Sequence, residues 1–292
     1  SVPSTGASNL QPLEPDHGEG IEPHGLIARR EVFTAAVPDG ACLLTMGVDV
    51  QDDRLEVLIV GWGPGEESWI VDRATRGGAT SPPEPWSALD ALLDRAYPHE
   101  RGVSLSVQAT CIDSGGHRTT MVYDYAARKA ARRVYAIIGR DGQRPLVSSP
   151  SPRRWGGGQR KVPLYTIGVD AAKALWMSRL ALTEKNRGYV HLPMADWCDD
   201  ELAAQLTSER LKRRFAKGVP VQVWTKVRPR NEALDCAVYA LAALRLVHPD
   251  LDAIAARLHA APKPPAPVTP APEKKPKWIP PRREGGWLKG HR

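Results

Sequence analysis

The segment from Leu43 to Gly63, LLTMGVDVQDDRLEVLIVGWG, constrains the fold of this 292-residue chain more than any other. Two apolar runs rich in β-branched residues flank the polar turn QDD, and this pattern predicts two buried antiparallel strands. GPGE then predicts a second turn and ESWIVDR a third strand, so the three strands form a meander. Asp49 lies inside the first apolar run, where a carboxylate is costly unless it has a partner.

Helices and strands alternate in the next part of the chain. SPPEPWSALDALLDRAY predicts a helix with Pro85 near its start and one apolar face. VSLSVQATCID predicts a strand that ends at Asp113. SGGHRTTMVYDYAARKAARR predicts a turn followed by a helix, and VYAIIG a further strand.

The alternation resumes after residue 163. GVDAAKALWMSRLAL predicts a helix, GYVHLP a short strand and DWCDDELAAQLTSERL a helix. VPVQVWTKV predicts a strand, and NEALDCAVYALAALRLV predicts a long, mostly apolar helix. This order of elements predicts an α/β fold in which helices flank a mixed sheet.

Composition divides the chain into three parts. Residues 1–40 contain five prolines without periodicity, and we expect a linker or arm in which LIARREVFTAAV forms one short ordered segment. Residues 41–248 carry the periodic segments and form one domain. Residues 249–292 are rich in Pro and Lys and predict a flexible tail. Inside the domain, residues 139–163 predict a long loop that is either functional or disordered.

Charge and composition limit the classes of function. The net charge of +7 favours a polyanionic partner such as nucleic acid, although charge alone is a weak indicator. No apolar run reaches the roughly 18 residues of a membrane span, and the first residues do not resemble a signal peptide. The four cysteines form no C-x-x-C pair, which disfavours zinc and favours buried free thiols in a reducing cytosol over disulfides.

Three aspartates lie in apolar segments, and each has a structural explanation. Asp49 would accept hydrogen bonds from the amides of the following turn, and Asp113 would cap the following helix. Asp235 would cap its own helix or pair with Arg228 or Arg230. Considered together, the three indicate a metal centre instead. Carboxylates suit Mg²⁺ or Mn²⁺, and two such ions roughly 4 Å apart activate water and stabilise the leaving oxygen in phosphodiester hydrolysis.

Several motifs resemble the large terminase subunit of tailed phages, in the lambda-type group. In order they are GVDVQDDRLEVLIVGWG, GEESW, CIDSGGHRTTMVYDYA, YTIGVDAAK, QLTSERL and NEALDCAVYALAAL, within residues 30–247. The resemblance implies an RNase H-like nuclease fold with two divalent metal ions, and it matches Asp49, Asp113 and Asp235 to the metal-binding acids. No G-x-x-x-x-G-K-[ST] phosphate loop occurs, so the packaging ATPase half of the family pattern is missing here.

DNA contacts are predicted from a basic stretch. Residues 128–161 contain ten Lys or Arg against one acid, Asp141. We expect DNA-binding by five of them: Arg140, Arg153, Arg154, Arg160 and Lys161. Trp155 would either stack on a base or hold the loop. A second basic run, ERLKRRFAKG, would contact DNA or place its cations at a helix end.

Four other titratable residues have alternative roles. His117 would either orient a metal ligand or contact the scissile phosphate, and the alternative is a structural hydrogen bond. Asp170 is expected to cap its helix, with a fourth acid near the metals as the alternative. Glu56 and Glu232 are expected to be surface or capping residues.

The three acids and the basic stretch predict a metal-dependent nuclease, and the resemblance implies the endonuclease domain of a viral packaging motor, which cuts concatemeric double-stranded DNA in the cytoplasm of an infected bacterium. The partners implied by the resemblance are the small terminase subunit, the portal and an ATPase domain in the parent chain. The alternatives are another RNase H-like nuclease, of the resolvase or transposase type, and a non-catalytic module that binds DNA or the portal.

Overall fold

The computed structural model describes residues 21–77, 85–216 and 219–260. Within those ranges it contains seven α-helices and twelve strands. The helices are α1 Pro23–Ala28, α2 Trp86–Asp94, α3 Thr119–Arg128, α4 Val169–Leu180, α5 Asp200–Leu206, α6 Glu232–Val247 and α7 Leu251–Ala260. The strands are β1 Leu43–Val50, β2 Arg54–Trp62, β3 Ser68–Gly77, β4 Tyr97–Pro98, β5 Ser104–Leu105, β6 Val107–Asp113, β7 Val134–Arg140, β8 Ser151–Trp155, β9 Arg160–Gly168, β10 Val190–His191, β11 Glu209–Ala216 and β12 Val219–Lys226.

Eight of the strands form one mixed sheet in the order β10-β3-β2-β1-β6-β7-β9-β8. Strands β1 to β3 pair antiparallel, which confirms the predicted meander. Strands β1, β6, β7 and β9 are parallel, and β8 closes that side antiparallel to β9. The predicted α/β class with a mixed sheet is confirmed. None of the described helices is long and apolar enough to cross a bilayer.

Side chains of β1 alternate between two cores because successive residues of a strand point to opposite faces. Leu43 packs with α6, whereas Leu44, Met46 and Val48 pack on the other face with α2 and α3. Asp49 therefore shares the face of Leu43 and points toward α6.

Helix α6 lies directly against β1 because residue 47 is glycine. A Cβ atom at Gly47 would stand 1.9 Å from the carbonyl oxygen of Cys236 and 2.7 Å from the backbone nitrogen of Ala240. The Thr45 hydroxyl donates to the Ala240 carbonyl at 2.8 Å, which fixes the same contact. The position of the N-terminal turn of α6 thus follows from the packing of its middle on β1.

The predicted loop at residues 139–163 is wrong in its second half. Residues Ser151–Trp155 and Arg160–Gly168 form a hairpin on the edge of the sheet. Its turn contains Gly156, Gly157 and Gly158, all with positive φ, which glycine adopts at little cost. Trp155 is buried and packs edge-on against Tyr123, so it holds the hairpin in place.

Three other predictions differ from the structure. The helix predicted to run through SERL ends at Leu206, and the basic run ERLKRRFAKG enters strand β11, so the helix-end explanation of its cations is wrong. Helix α7 occupies the first part of the predicted flexible tail, with Leu251 and Ala255 buried. Asp170 does not cap α4, because its carboxylate accepts the Gly142 N–H at 2.8 Å.

The cysteine prediction is confirmed: Cys42, Cys111, Cys198 and Cys236 are free and buried. Of the predicted arm, residues 1–20 lie outside the described part of the chain, as do residues 261–292 of the predicted tail. The end of the arm is tied to the domain, since Glu31 pairs with Pro193 and its carboxylate bonds His191.

Candidate active site

Asp49 and Asp113 lie side by side on neighbouring parallel strands. The pairing of β1 with β6 runs to Val48 opposite Ile112, and the two aspartates are the next residues of their strands. Adjacent strands are about 5 Å apart, and both side chains point to the α6 face. The carboxyl ends of the two strands therefore deliver two carboxylates to one edge of the sheet.

Asp235 reaches the same edge from the first turn of α6. The next residue, Cys236, fixes that turn, because its carbonyl lies against Gly47 and its thiol donates to the Glu56 carbonyl at 3.2 Å. The structure thus brings together the three aspartates that the sequence singles out.

The electrostatics of the three carboxylates agree with this closeness. Burial raises the pKa of Asp49 to about 7, and the charges of Asp235 and Asp113 raise it further. Burial also raises the pKa of Asp235 to about 6, although Lys173 opposes the shift. Burial raises the pKa of Asp113 as well. One turn along α6, burial holds the pKa of Tyr239 well above its ordinary value, and the charges of the same three carboxylates act in the same direction.

The structural explanations of the three aspartates hold only in part. The Gln51 side chain, not a turn amide, donates to Asp49 Oδ2 at 2.6 Å. Asp113 does accept a backbone bond, from Gly115 at 3.1 Å, but α3 begins only at Thr119. These two hydrogen bonds do not explain why the three carboxylates lie close to one another.

A buried ion pair lies beside Asp235, and the sequence patterns did not predict it. Lys173 Nζ lies 2.8 Å from Glu209 Oε1 and 3.6 Å from Asp235 Oδ1. Both Lys173 and Glu209 are buried. The one sequence indication was a lysine on the core-facing side of the apolar helix GVDAAKALW.

A second buried network lies on the other side of Asp49. Glu56 is 2 % exposed and accepts bonds from Arg54 at 2.8 Å and Arg230 at 2.9 Å. Arg54 also donates to Glu232 at 2.9 Å. The expectation that Glu56 is a surface or capping residue is therefore wrong. Arg230 is bound in this network, so it is not the partner of Asp235.

The predicted DNA-binding residues are divided between two edges of the sheet. Arg140 ends β7 at the same edge as the acids. Tyr165 of β9 is level with Ile137, which is level with Asp113, so Arg160 lies about 16 Å back along its strand. Arg153, Arg154 and Lys161 belong to that same hairpin. Their contact with DNA stays a prediction, and it concerns a part of the duplex other than the one at the acids.

His117 lies outside the group of acids. Its ring is exposed and Nδ1 lies 3.3 Å from Asp52 Oδ1. This contact is the structural alternative that the sequence left open.

A two-stranded ribbon, formed by β11 and β12, starts beside the acids. Glu209 and Lys226 face each other at its base, and the exposed Lys212, Arg213 and Arg214 follow along β11. Among the described residues these three cations form no ion pair. The ribbon therefore carries unneutralised positive charge next to the three carboxylates.

Comparison with known families gives the context of this site. The family model for the endonuclease domain of the large terminase subunit gpA matches residues 10–256. The chain belongs to this family. The match includes all three aspartates and the whole eight-stranded sheet.

The endonuclease domain has curated relatives in two phages. It is 37% identical to the large terminase subunit of Escherichia phage lambda over 235 residues, and 32% identical to that of Enterobacteria phage P21 over 240 residues. Each alignment covers 78% of this chain and 36% of the relative, so the chain spans about a third of their length. Among solved structures, a manganese-containing K428A mutant nuclease domain of the large terminase subunit gp2 of bacterial virus Sf6 covers 76% of this chain and is itself covered to 97%, with 13% identity and a TM-score of 0.43.

The donor set of this endonuclease domain fits hard divalent cations. The buried Asp49 and the partly buried Asp113 and Asp235 all have raised pKa values although Lys173 lies near Asp235, and carboxylate oxygens are the ligands that Mg²⁺ and Mn²⁺ prefer. As placed, no three His, Cys, Asp or Glu side chains of the described ranges already surround a common point.

Proposed function

We propose that this endonuclease domain hydrolyses phosphodiester bonds of double-stranded DNA with two divalent ions, Mg²⁺ or Mn²⁺, held by Asp49, Asp113 and Asp235. The observation that supports the proposal is the placement of these acids on one edge of the sheet, where burial and the charges of Asp235 and Asp113 raise the pKa of Asp49. Without a cation this arrangement is costly, because the buried Asp49 and the partly buried Asp113 and Asp235 repel one another when they are charged.

The residues have separable roles in this proposal. Asp49 and Asp113 present parallel carboxylates from fixed strand ends, and Asp235 closes the group from α6. When bound, the ions supply an activated water and stabilise the charge that develops on the leaving oxygen. Lys173 holds Glu209 at 2.8 Å and leaves Asp235 the weaker contact, at 3.6 Å.

Substituting the acids tests the proposal. We expect wild-type protein to nick supercoiled plasmid with Mn²⁺, and Asp49→Ala, Asp113→Ala and Asp235→Ala each to reduce nicking more than about 100-fold, because each removes a metal ligand. Asp252→Ala, at an exposed acid of α7, is the matched control and should nick normally. Circular dichroism checks that every variant is folded. A folded variant that nicks normally would remove its aspartate from the site, and a wild type that is silent with Mg²⁺ and Mn²⁺ would favour a non-catalytic binding module.

We propose that the ribbon of β11 and β12 binds the DNA phosphates beside the three aspartates. Replacing Lys212, Arg213 and Arg214 with Gln should weaken binding to a duplex and reduce the slope of log K against log salt by up to about 3, one for each lost phosphate contact. The measurement is fluorescence anisotropy in EDTA at several salt concentrations.

The hairpin of β8 and β9 supplies the matched comparison for the ribbon. Arg153→Gln, Arg154→Gln and Lys161→Gln together remove the same charge at the opposite edge. If the slope of log K against log salt falls in this triple variant and not in the ribbon variant, the DNA contact lies at the hairpin, as the sequence predicts, and not at the ribbon.

We also propose partners for this domain, because its curated relatives are longer than this chain. Because the chain spans about a third of its curated relatives, we propose that an ATPase domain belongs to the parent chain. The small terminase subunit and the portal are the proposed partners, and the cytoplasm of an infected bacterium is the proposed site of action.

A further inference from the structure

Asn231 occupies the N-cap position of α6, but its side chain does not cap the helix. Asparagine at this position commonly accepts a hydrogen bond from the first turn. Here the Ala233 N–H is instead accepted by Gln205 Oε1 of α5, at 3.0 Å. The Asn231 side chain is therefore not needed to cap the first turn of α6 and can bond other groups.

The amide of Asn231 bonds two carboxylates, the buried Glu209 and the partly buried Asp235. Nδ2 donates to Asp235 Oδ2 at 2.8 Å and to Glu209 Oε1 at 2.9 Å, and Oδ1 accepts from Lys226 Nζ at 2.7 Å. Only the NH₂ group can donate to carboxylates and only the oxygen can accept from an ammonium group, so the three bonds define one orientation. Asn231 is 6 % exposed, which protects these bonds from water.

These bonds determine how Asp235 presents its carboxylate. With Oδ2 held by Asn231, Oδ1 is the oxygen that faces Lys173, at 3.6 Å. The torsion of the Asp235 side chain is then fixed by a residue that lies one turn before it on α6. Groups that orient a metal ligand in this way commonly affect metal affinity 10- to 100-fold.

We propose that Asn231 is a positioning residue of this endonuclease, which fixes the carboxylate of Asp235 for a divalent cation and ties it to Glu209 and Lys226 at the base of the ribbon. The inference rests on the proposed function, because it assumes that Asp235 binds the ion. It assigns Asn231 no contact with DNA or with the reacting atoms.

The decisive variant is Asn231→Ser. Serine caps helices about as well as asparagine, so the fold should be retained, but one hydroxyl cannot bond both carboxylates. Mn²⁺ binding is measured without DNA, by titration calorimetry and by the loss of the free-ion signal in electron paramagnetic resonance. We expect the dissociation constant to rise about 10-fold or more, with a melting temperature close to wild type. Nicking should recover at high Mn²⁺.

Gln205→Ala is the matched structural control. It removes the bond to the Ala233 N–H and so weakens the same end of α6, but Gln205 does not touch Asp235. We expect this variant to melt at a lower temperature and to bind Mn²⁺ like wild type. Asn231→Ala should combine both effects.

Each other outcome counts against a specific statement. If Asn231→Ser binds Mn²⁺ like a wild type that binds and nicks, the positioning role is wrong and the proposed function stands. If Gln205→Ala loses Mn²⁺ to the same degree, the effect belongs to the helix end and not to the amide. If wild type neither binds Mn²⁺ nor nicks DNA, both the proposed function and the role of Asn231 are overturned.

Discussion

Gly47→Ala is expected to destabilise the domain by about 3 kcal/mol and to lower its melting temperature by roughly 10 °C. The added methyl group would stand 1.9 Å from the Cys236 carbonyl oxygen and 2.7 Å from the Ala240 nitrogen. Both atoms belong to the backbone of α6, so no side-chain rotation relieves the contact. The helix has to move away from β1, and the buried bond from Thr45 to Ala240 is lengthened.

The same displacement should reduce nicking beyond the loss of stability. Asp235 lies next to Cys236, so moving α6 separates it from Asp49 and Asp113, which stay on their strands. Differential scanning calorimetry and plasmid nicking below the melting temperature measure the two effects.

Gly77→Ala is the control for this substitution. It lies at the end of β3 in the same sheet, and a Cβ there has no atom within 4 Å. We expect it to change the melting temperature by no more than a few degrees. If Gly47→Ala behaves like Gly77→Ala, the close approach of α6 to β1 is not what positions Asp235.

The sequence predicts those features for which the local hydrophobic pattern agrees with the burial of the residues in the folded domain. The meander follows from two apolar runs and a polar turn, and Asp49 stands out because it interrupts one of the runs. Asp113 and Asp235 stand out for the same reason. Their convergence does not follow from spacing, and only the parallel pairing of β1 with β6 and the packing of α6 bring them together.

Residues whose burial depends on distant partners could not be predicted. Glu209 begins the polar run ERLKRR, and its burial depends on two distant partners, Lys173, 36 residues earlier, and Asn231, 22 residues later. The hairpin of β8 and β9 could not be predicted, because its glycines and Pro163 are typical of a loop. That proline is tolerated because β9 pairs with β7 only from Leu164 onward, so no bond to β7 requires its missing N–H.

The metal-free domain is expected to lose stability as the pH rises from about 4 to about 7. The pKa of Asp49 is raised to about 7 in the folded state, against about 3.9 for an aspartate in an unfolded chain. At low pH both states hold the proton. Between the two values the unfolded state releases it while the folded state retains it, so the free energy of unfolding falls with pH, and it levels off above about pH 7. Asp113 and Asp235 act in the same direction.

Asp49→Asn should therefore stabilise the metal-free protein at pH 8 while it abolishes nicking. A pKa shift of one unit corresponds to about 1.4 kcal/mol, so removing this charge contributes on the order of 2–4 kcal/mol and raises the melting temperature by about 5 °C or more. Thermal melts in EDTA from pH 4 to pH 8 measure the effect, with Asp252→Asn as the control at an exposed acid of α7. The variant should be less sensitive to pH than wild type.

Addition of Mn²⁺ at pH 8 should reverse the order of stability. Wild type gains about 2.7 kcal/mol at 100 times the dissociation constant, because the ion binds only the folded state. Asp49→Asn has lost a ligand and should gain little. If Asp49→Asn is more stable than wild type in EDTA but gains little stability from Mn²⁺, then Asp49 serves ion binding and destabilises the metal-free fold. A variant that melts below wild type in EDTA, or one that gains as much from Mn²⁺, would instead make Asp49 a structural carboxylate.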